Sequence, residues 1–283
     1  MTTIGEALEE SVQALLEAGI DEARLDARLL LAHALDCTPE HVFGYPEEKL
    51  GDNDPETIRR LVARRINREP LALITGRKEF WSLSFRVSEA TLIPRPDSET
   101  LIEAVLAAYP DKGAPLRILD LGTGSGCLLL ALLSEYPSAN GVGIDFSSQA
   151  LQVARVNAKD LDLSLRAGFV AADWNDDTAS FGVFDIVISN PPYIPDGERD
   201  SLQPEVVEYE PNDALFAGID GLRDYRSLVS LLPGLLKKRG AVFFEVGEGQ
   251  DIAVHEMLKR AGFSNIAVRN DIAGIGRCVS GTR

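Results

Sequence analysis

Apolar positions in the first 75 residues recur at helical spacing. In TIGEALEESVQALLEAGI, residues 3–20, Ile4, Leu8, Val12, Leu15 and Leu16 fall along one face and predict an amphipathic helix. Thr3 stands where an N-cap is needed and Gly19 where the helix should stop. DEARLDARLLLAHALD (21–36) repeats the pattern, and DPETIRRLVARRINREP (54–70) offers Asp54 as a cap with Pro55 in the first turn. The expectation for residues 1–75 is a small all-α domain.

From Gly76 the period changes. FWSLSFRVS (80–88) alternates apolar and polar residues, as a strand or hairpin does. In TLIPRPDSETLIEAVLAAY, Pro94 and Pro96 impose an extended path, and Asp97 or Ser98 can cap the helix that follows. Residues 76–98 therefore read as a hairpin and linker. Beyond Arg117 seven apolar strand candidates follow: RILDLG, GVGIDFS, AGFVAADW, FDIVISN, GAVFFEVG, NIAVRND and RCVSG. Helical stretches such as SSQALQVARVNAKDL lie between most of them. This alternation predicts an α/β fold over residues 99–283, a seven-stranded, mostly parallel, Rossmann-like sheet covered on both faces.

Composition narrows the partners. The chain has 283 residues, enough for roughly one to two domains. A formal net charge of −16 suits a general nucleic-acid binder poorly, because phosphates are neutralised by Lys and Arg, and no stable nucleic-acid binding is expected. Arg59, Arg60, Arg64, Arg65 and Arg68 form the local exception, read as a solvated helix face or, alternatively, a docking surface for an acidic partner. The longest apolar run, CLLLALL (127–133), suits a buried helix and falls short of the ~18 residues of a membrane span. No secretory signal is visible. Cys37, Cys127 and Cys278 are scattered and odd in number, as are three histidines, so neither a disulfide framework nor a metal site is expected. The anticipated location is the cytoplasm.

The chemistry gathers at strand ends. The first sheet strand runs into Asp120-Leu121-Gly122-Thr123-Gly124-Ser125-Gly126, and a helix starts directly after. Such a turn lets the backbone approach a nucleotide-like ligand closely. Asp145 ends the second strand, where a carboxylate can accept both hydroxyls of a ribose. Asp173 and Trp174 end the third, an acid for an adenine amino group and an indole for its ring. The chain has no phosphate-binding G-x-x-x-x-G-K-[ST], and the turn carries no cation while acids ring it. A cofactor without phosphates and with a positive charge is implied, and S-adenosylmethionine meets both conditions.

After the fourth strand, VISNPPYIP (187–195) ends in Asn190-Pro191-Pro192-Tyr193. Two prolines cannot donate to a sheet ladder, so a rigid loop must present the Asn side chain, carbonyls and an aromatic face. The Asn190 side-chain oxygen and the Pro191 carbonyl can each accept one N–H of a planar NH₂ group, fixing a weakly nucleophilic nitrogen and favouring the charge that develops on it. Tyr193 offers a face to a planar substrate. Phe80 and Arg95 are candidates for a substrate channel, with a core aromatic and a loop arginine as the plainer alternatives.

Together, DLGTGSG, GIDFS, ADW and SNPPYIP resemble the class I S-adenosylmethionine-dependent methyltransferases that carry an N-P-P-Y motif. TGRKEFWSLSFRVSEATLIPRPDSETLIEAV, EYEPNDALFAGIDGLRDYR and DIAGIGRCV are similar to the PrmC/HemK family, the glutamine-N5 methyltransferases of class I peptide-chain release factors. The resemblance implies a helical substrate-recognition domain and a methyltransferase domain. It implies cofactor contacts at Gly122, Thr123, Gly124, Ser125, Gly126, Asp145, Asp173, Trp174 and Asn190. It implies substrate contacts at Asn190, Pro191, Pro192 and Tyr193, with Asn190, Pro191 and Tyr193 catalytic. The substrate would be the glutamine of the release factors' Gly-Gly-Gln loop. Adenine-N6 methylation of nucleic acid, and glutamine methylation of a ribosomal protein, share the site chemistry and stand as alternatives; a non-catalytic binding module is a third reading.

Overall fold

A computed structural model describes residues 2–174 and 181–283, which divide into two compact units. One comprises the residues up to Arg77 together with Gln203–Tyr209. Its helices are α1 (Ile4–Glu17), α2 (Ala23–Ala34), α3 (Pro39–Gly44), α4 (Asp54–Ile66) and α5 (Leu71–Thr75). Leu15, Leu30, Leu31 and Val42, all fully buried, form its core. Thr3 caps α1 as expected: its hydroxyl accepts from the Glu6 N–H at 3.2 Å and the Glu6 carboxylate accepts from the Thr3 N–H at 2.9 Å. The start of α4 differs from expectation. Asn53 holds the N-cap position, because the Asp54 carboxylate turns back to accept the Gly51 N–H at 2.7 Å.

The arginine cluster differs as well. Arg65 is not a solvated charge, its side chain being only 12% exposed. It donates to Asp26 at 2.7 Å and to Glu205 at 3.1 Å, and Arg68 reaches Glu205 at 3.4 Å. Glu205 belongs to a sixth helix of this unit, Pro204–Tyr209, whose Tyr209 hydroxyl donates to the Asn67 carbonyl at 2.6 Å. Two of the five arginines therefore brace a segment that lies 140 and 137 residues further along the chain.

The second unit opens with a hairpin, β1 (Arg77–Phe80) and β2 (Leu83–Arg86). Trp81 and Ser82 between them take φ of 52° and 56°, the twist of a two-residue hairpin turn. Then come α6 (Glu99–Ala108), β3 (Arg117–Leu121), α7 (Cys127–Glu135), β4 (Asn140–Asp145), α8 (Ser148–Asp160), β5 (Ala167–Ala171) and β6 (Phe184–Ser189). Counting the helix Pro204–Tyr209 as α9, the chain continues through α10 (Arg223–Leu235), β7 (Leu236–Glu245), α11 (Asp251–Arg260), β8 (Ser264–Asn270) and β9 (Gly276–Thr282). The seven-stranded sheet has the order β5-β4-β3-β6-β7-β9-β8, with only β9 antiparallel to its neighbours.

Period-2 alternation divides the core between the faces. Ile118 and Ile186 point to Leu101, Leu129 and Leu132, while Leu119 and Val187 point to Tyr225, Leu228 and Val254. From β3 the chain moves outward to β4 and β5, then returns to β6 on the other side of β3. That reversal between β3 and β6 is the switch point where open α/β sheets bind ligands. Phe80, a channel candidate from sequence, is 2% exposed and packs edge-on against Phe85 with centroids 6.3 Å apart. Its ring is a core residue because it is the inward position of a two-stranded sheet backed by a helical face.

Candidate active site

The loops after β3 and β6 enclose a cavity of about 280 Å³ at the switch point. Gly122, Thr123, Gly124 and Ser125 form one wall. The left-handed turn is enforced at Gly122 (φ 75°), where an added Cβ would stand 3.1 Å from the Trp174 ring. The indole thus lies over the glycine turn and also lines the cavity. Gly126 does not line it. With φ 82° it starts α7, and a Cβ there would meet Leu130 at 3.2 Å and Ala154 at 3.3 Å. Its smallness serves close packing of helix against sheet.

Asp145, at the end of β4, is 8% exposed and lines the same cavity. One carboxylate oxygen accepts the Gly124 N–H and the other the Ser147 N–H, both at 2.9 Å. Each oxygen keeps a lone pair for a ligand hydroxyl. Burial raises its pKa, against those two backbone bonds. Below it, fully buried Asp120 accepts from the Thr123 hydroxyl at 2.7 Å, and its other oxygen has no partner. Burial first, opposed by Thr123 and reinforced by Asp145, pushes Asp120 up to about 7.

Asn190 and Pro192 close the opposite wall. Pro191 and Tyr193 are not among the lining residues: Pro191 is buried, and the Tyr193 ring packs against the core beside Gly247. Burial raises the Tyr193 phenol to about 12. The Tyr193 carbonyl accepts from Gln250 at 2.8 Å, which ties the loop down to the segment after β7. Asp173 lines an adjoining recess of about 280 Å³, which shares Phe146, Trp174, Pro192 and Asp213 with the main cavity.

Several lining residues carried no chemical signal in the sequence. Thr91, Leu92 and Pro94 come from the linker before α6, and Asp213 and Ala214 from the turn after α9. These two segments are joined by Glu210, whose side chain is 1% exposed, accepts the Ile93 N–H at 3.1 Å and pairs with Arg95. Phe146 had a usable signal: an aromatic directly after the strand-end acid, here 56% exposed at the cavity rim. Ser98 occupies the N-cap position of α6 but makes no capping bond. Its hydroxyl instead lies 3.4 Å from the Asn190 amide nitrogen.

The donor set suits a cationic nucleoside. Glu89, Asp145 and Asp213 line the cavity, and among the described lining residues Arg95 is the one cation, already held by Glu210. A phosphate would find no free positive charge here, whereas a sulfonium or ammonium meets acids. Among the described residues, no group of His, Cys, Asp or Glu is arranged to hold a metal ion, and no helix is long and apolar enough to cross a membrane.

Comparison with known proteins agrees in family and fold. A family described as the PrmC N-terminal domain matches residues 6–76, and a methyltransferase domain family matches residues 112–242. The chain is 41% identical over 280 residues to the release factor glutamine methyltransferase of Rhodospirillum rubrum, covering 99% of this chain and 85% of that protein. It is also 41% identical to the Caulobacter vibrioides enzyme of the same name, covering 99% and 96%. Among solved structures, the catalytic domain of hMettl16 superposes with a TM-score of 0.58 at 17% identity, over 78% of this chain and 81% of that one. That likeness is one of fold.

Proposed function

Because the chain belongs to the release factor glutamine methyltransferases, we propose that the loop Asn190–Tyr193 presents the Gly-Gly-Gln glutamine of a class I peptide-chain release factor to S-adenosylmethionine held on the glycine turn. The activity is transfer of a methyl group to the side-chain amide nitrogen. The observation that carries this reading is the shared cavity: Asn190 after β6 and the Gly122–Ser125 turn after β3 are walls of one space.

Gly122 to Ser125 accept the cofactor against the backbone, Asp145 takes the ribose hydroxyls, and Trp174 covers the turn. When bound, S-adenosylmethionine supplies a methyl group activated by its sulfonium. Asn190 Oδ1 and the Pro191 carbonyl each accept one N–H of the glutamine, which fixes the nitrogen and its lone pair toward the methyl. The same two acceptors stabilise the cationic nitrogen of the transition state. These residues need supply no strong base, because the glutamine nitrogen would lose its proton to water only once it has taken the methyl group from the sulfonium. Pro191 and Pro192 hold the acceptors with little reorganisation. The helical unit around α1, α2 and α4, residues 1–75, grips the release factor beyond its loop, residues 76–98 link, and 99–283 carry the chemistry. The protein acts in the cytoplasm and forms no stable complex with nucleic acid.

Incubating the protein with methyl-labelled cofactor and purified release factor tests the assignment. Label should appear on the wild-type factor and be absent from a Gln→Ala variant of its Gly-Gly-Gln loop. Equal labelling of both, or transfer to RNA or DNA instead, would overturn it.

A further inference from the structure

A planar amide looks nearly the same when turned by 180°, but its chemistry does not. If Asn190 is to accept a substrate N–H, its oxygen must face the cavity and its NH₂ must face the protein. Something has to hold it that way, and the structure supplies a buried acid for the purpose.

Glu245 ends β7, beside β6, and is 2% exposed. The register of β6 on β7 pairs Ser189 with Phe244, which brings Asn190 and Glu245 side by side. The side chains of Ser98 and Asn190 favour the ionised form of the Glu245 carboxylate. Asn190 Nδ2 also approaches the Ser98 hydroxyl at 3.4 Å. The donors run in one direction. Asn190 Nδ2 carries two N–H groups, enough for both Ser98 and Glu245, and the Ser98 hydroxyl, accepting from Asn190, keeps its own proton to turn toward Glu245. An ionised carboxylate only accepts, so it can face the NH₂ of Asn190 and never its oxygen. One Glu245 oxygen has no partner, a costly arrangement for a buried acid that serves packing alone.

Resting on the reading of Asn190 as the substrate acceptor, we propose that Glu245, with Ser98, is a positioning residue that locks the Asn190 amide with Nδ2 inward and Oδ1 toward the glutamine. Protonated Glu245 would present an O–H instead, which can bond to Oδ1 and release the lock. Burial pushes Glu245 up to about 7, so the ionised form and the lock are gained as pH rises through that range. The groups facing Glu245 are Ser98 and Asp97 from the linker, Asn190 and Tyr193 from the proline loop, Tyr225 from α10, Cys127 from α7, and Arg277 and Cys278 from β9. Asp97 opposes ionisation and Arg277 favours it, while Arg277 itself is shared with Asp97 and Asp271.

A double-mutant cycle on the full chain, with release factor as substrate, decides the matter. Glu245→Leu should lower kcat about 10- to 100-fold, the scale of one lost orienting interaction, with Kd for the cofactor by calorimetry within twofold of wild type. Glu245→Gln, whose carbonyl still accepts, should recover at least a third of kcat and lose the rise of kcat with pH near 7. Ser98→Ala, a mild change should Glu245→Leu fold badly, should lower kcat by about three- to tenfold. In an Asn190→Ala background, none of these substitutions should cost anything further. In ¹⁵N spectra, the Asn190 side-chain amide pair should lose protection from exchange in Glu245→Leu. Full activity of Glu245→Leu and Ser98→Ala, or losses that simply multiply with Asn190→Ala, would overturn the positioning role alone. An active Asn190→Ala protein would instead overturn the reading of Asn190 on which it rests.

Discussion

At the residue scale, two fully buried acids lie behind the site. Asp120 and Glu245 both sit near 7 at the carboxyl ends of neighbouring parts of the sheet, and desolvation is the largest cause for each. The linkage has a definite sign. A carboxyl whose folded pKa lies above its ordinary value contributes stability fully present below about 4.5 and lost as pH rises through about 7. Replacing Glu245 by Gln removes that dependence while keeping the shape. The melting temperature of wild type should therefore fall more between pH 5.5 and pH 8 than that of Glu245→Gln, by several degrees, for a contribution of at most about 3 kcal/mol. Parallel curves in a thermal melt series would mean that Glu245 titrates normally. The same scale explains why Ser98, one of the two caps the sequence offered with Asp97, holds the N-cap position of α6 without a capping bond. A serine before a helix satisfies the capping pattern locally, but the nearer claim on its hydroxyl comes from Asn190, 92 positions away.

At the element scale, the turn between β3 and α7 separates two uses of glycine. Gly124 takes φ 53° with nothing within 4 Å of an added Cβ, so Gly124→Ala carries only the strain of the left-handed conformation, about 1 kcal/mol. Gly126 has the same strain and, in addition, contacts with Leu130, Ala154 and Phe169 at 3.2–3.5 Å. Gly126→Ala should cost about 2–3 kcal/mol in urea unfolding, clearly more than Gly124→Ala. Cofactor affinity should respond in the opposite order, because Gly124 lines the cavity and Gly126 does not. If Gly124→Ala were the more destabilising change, close packing of α7 against β5 would not be the constraint. The central strands β3, β6 and the second half of β7 were legible because they are buried on both sides and read as continuous apolar runs, whereas the outer strands β5 and β8 are largely exposed. The start of α4 was misplaced by a residue because Asp54 and Asn53 are both capping types, and only the position of Gly51 decides between them.

At the scale of the whole molecule, the chain does not divide where its patterning does. Gln203–Tyr209 interrupts the α/β half of the sequence yet belongs to the helical unit, held by Glu205 on Arg65 and Arg68 and by Tyr209 on Asn67. Burial raises the Glu205 carboxyl, but a bond from its own backbone N–H, then Arg65 and Arg68, hold it below the usual carboxylate range. Removing Glu205 from this half-buried cluster leaves Arg65 with Asp26 and the Glu69 carbonyl, so Glu205→Ala should destabilise the helical unit by about 1–3 kcal/mol. A chain shortened to residues 78–283 leaves the segment without its anchor, and limited proteolysis should then cut within 203–209, where the full chain resists. Equal cleavage of both would show that the arginine brace contributes nothing to order there. The acidity of the molecule, −16, acts at this scale too, favouring a basic or neutral protein face over a phosphate backbone.

Sequence alone determined the alternation of strands and helices, the glycine turn, the strand-end acid Asp145 and the proline-stiffened amide at Asn190. These are local matters: periodicity follows from burial of one element, and Gly and Pro declare their backbone geometry wherever they stand. The tertiary structure decided which of these groups share a space. It set Glu245 and Ser98 against Asn190, sent Phe80 into the core, joined Arg95 to Glu210, and gave Arg65 and Arg68 to Glu205. Each of those pairings joins residues far apart in the chain, and their side chains meet only once strand order and packing are in place. A carboxylate or arginine carries no mark of its eventual partner, so that information exists only in the fold.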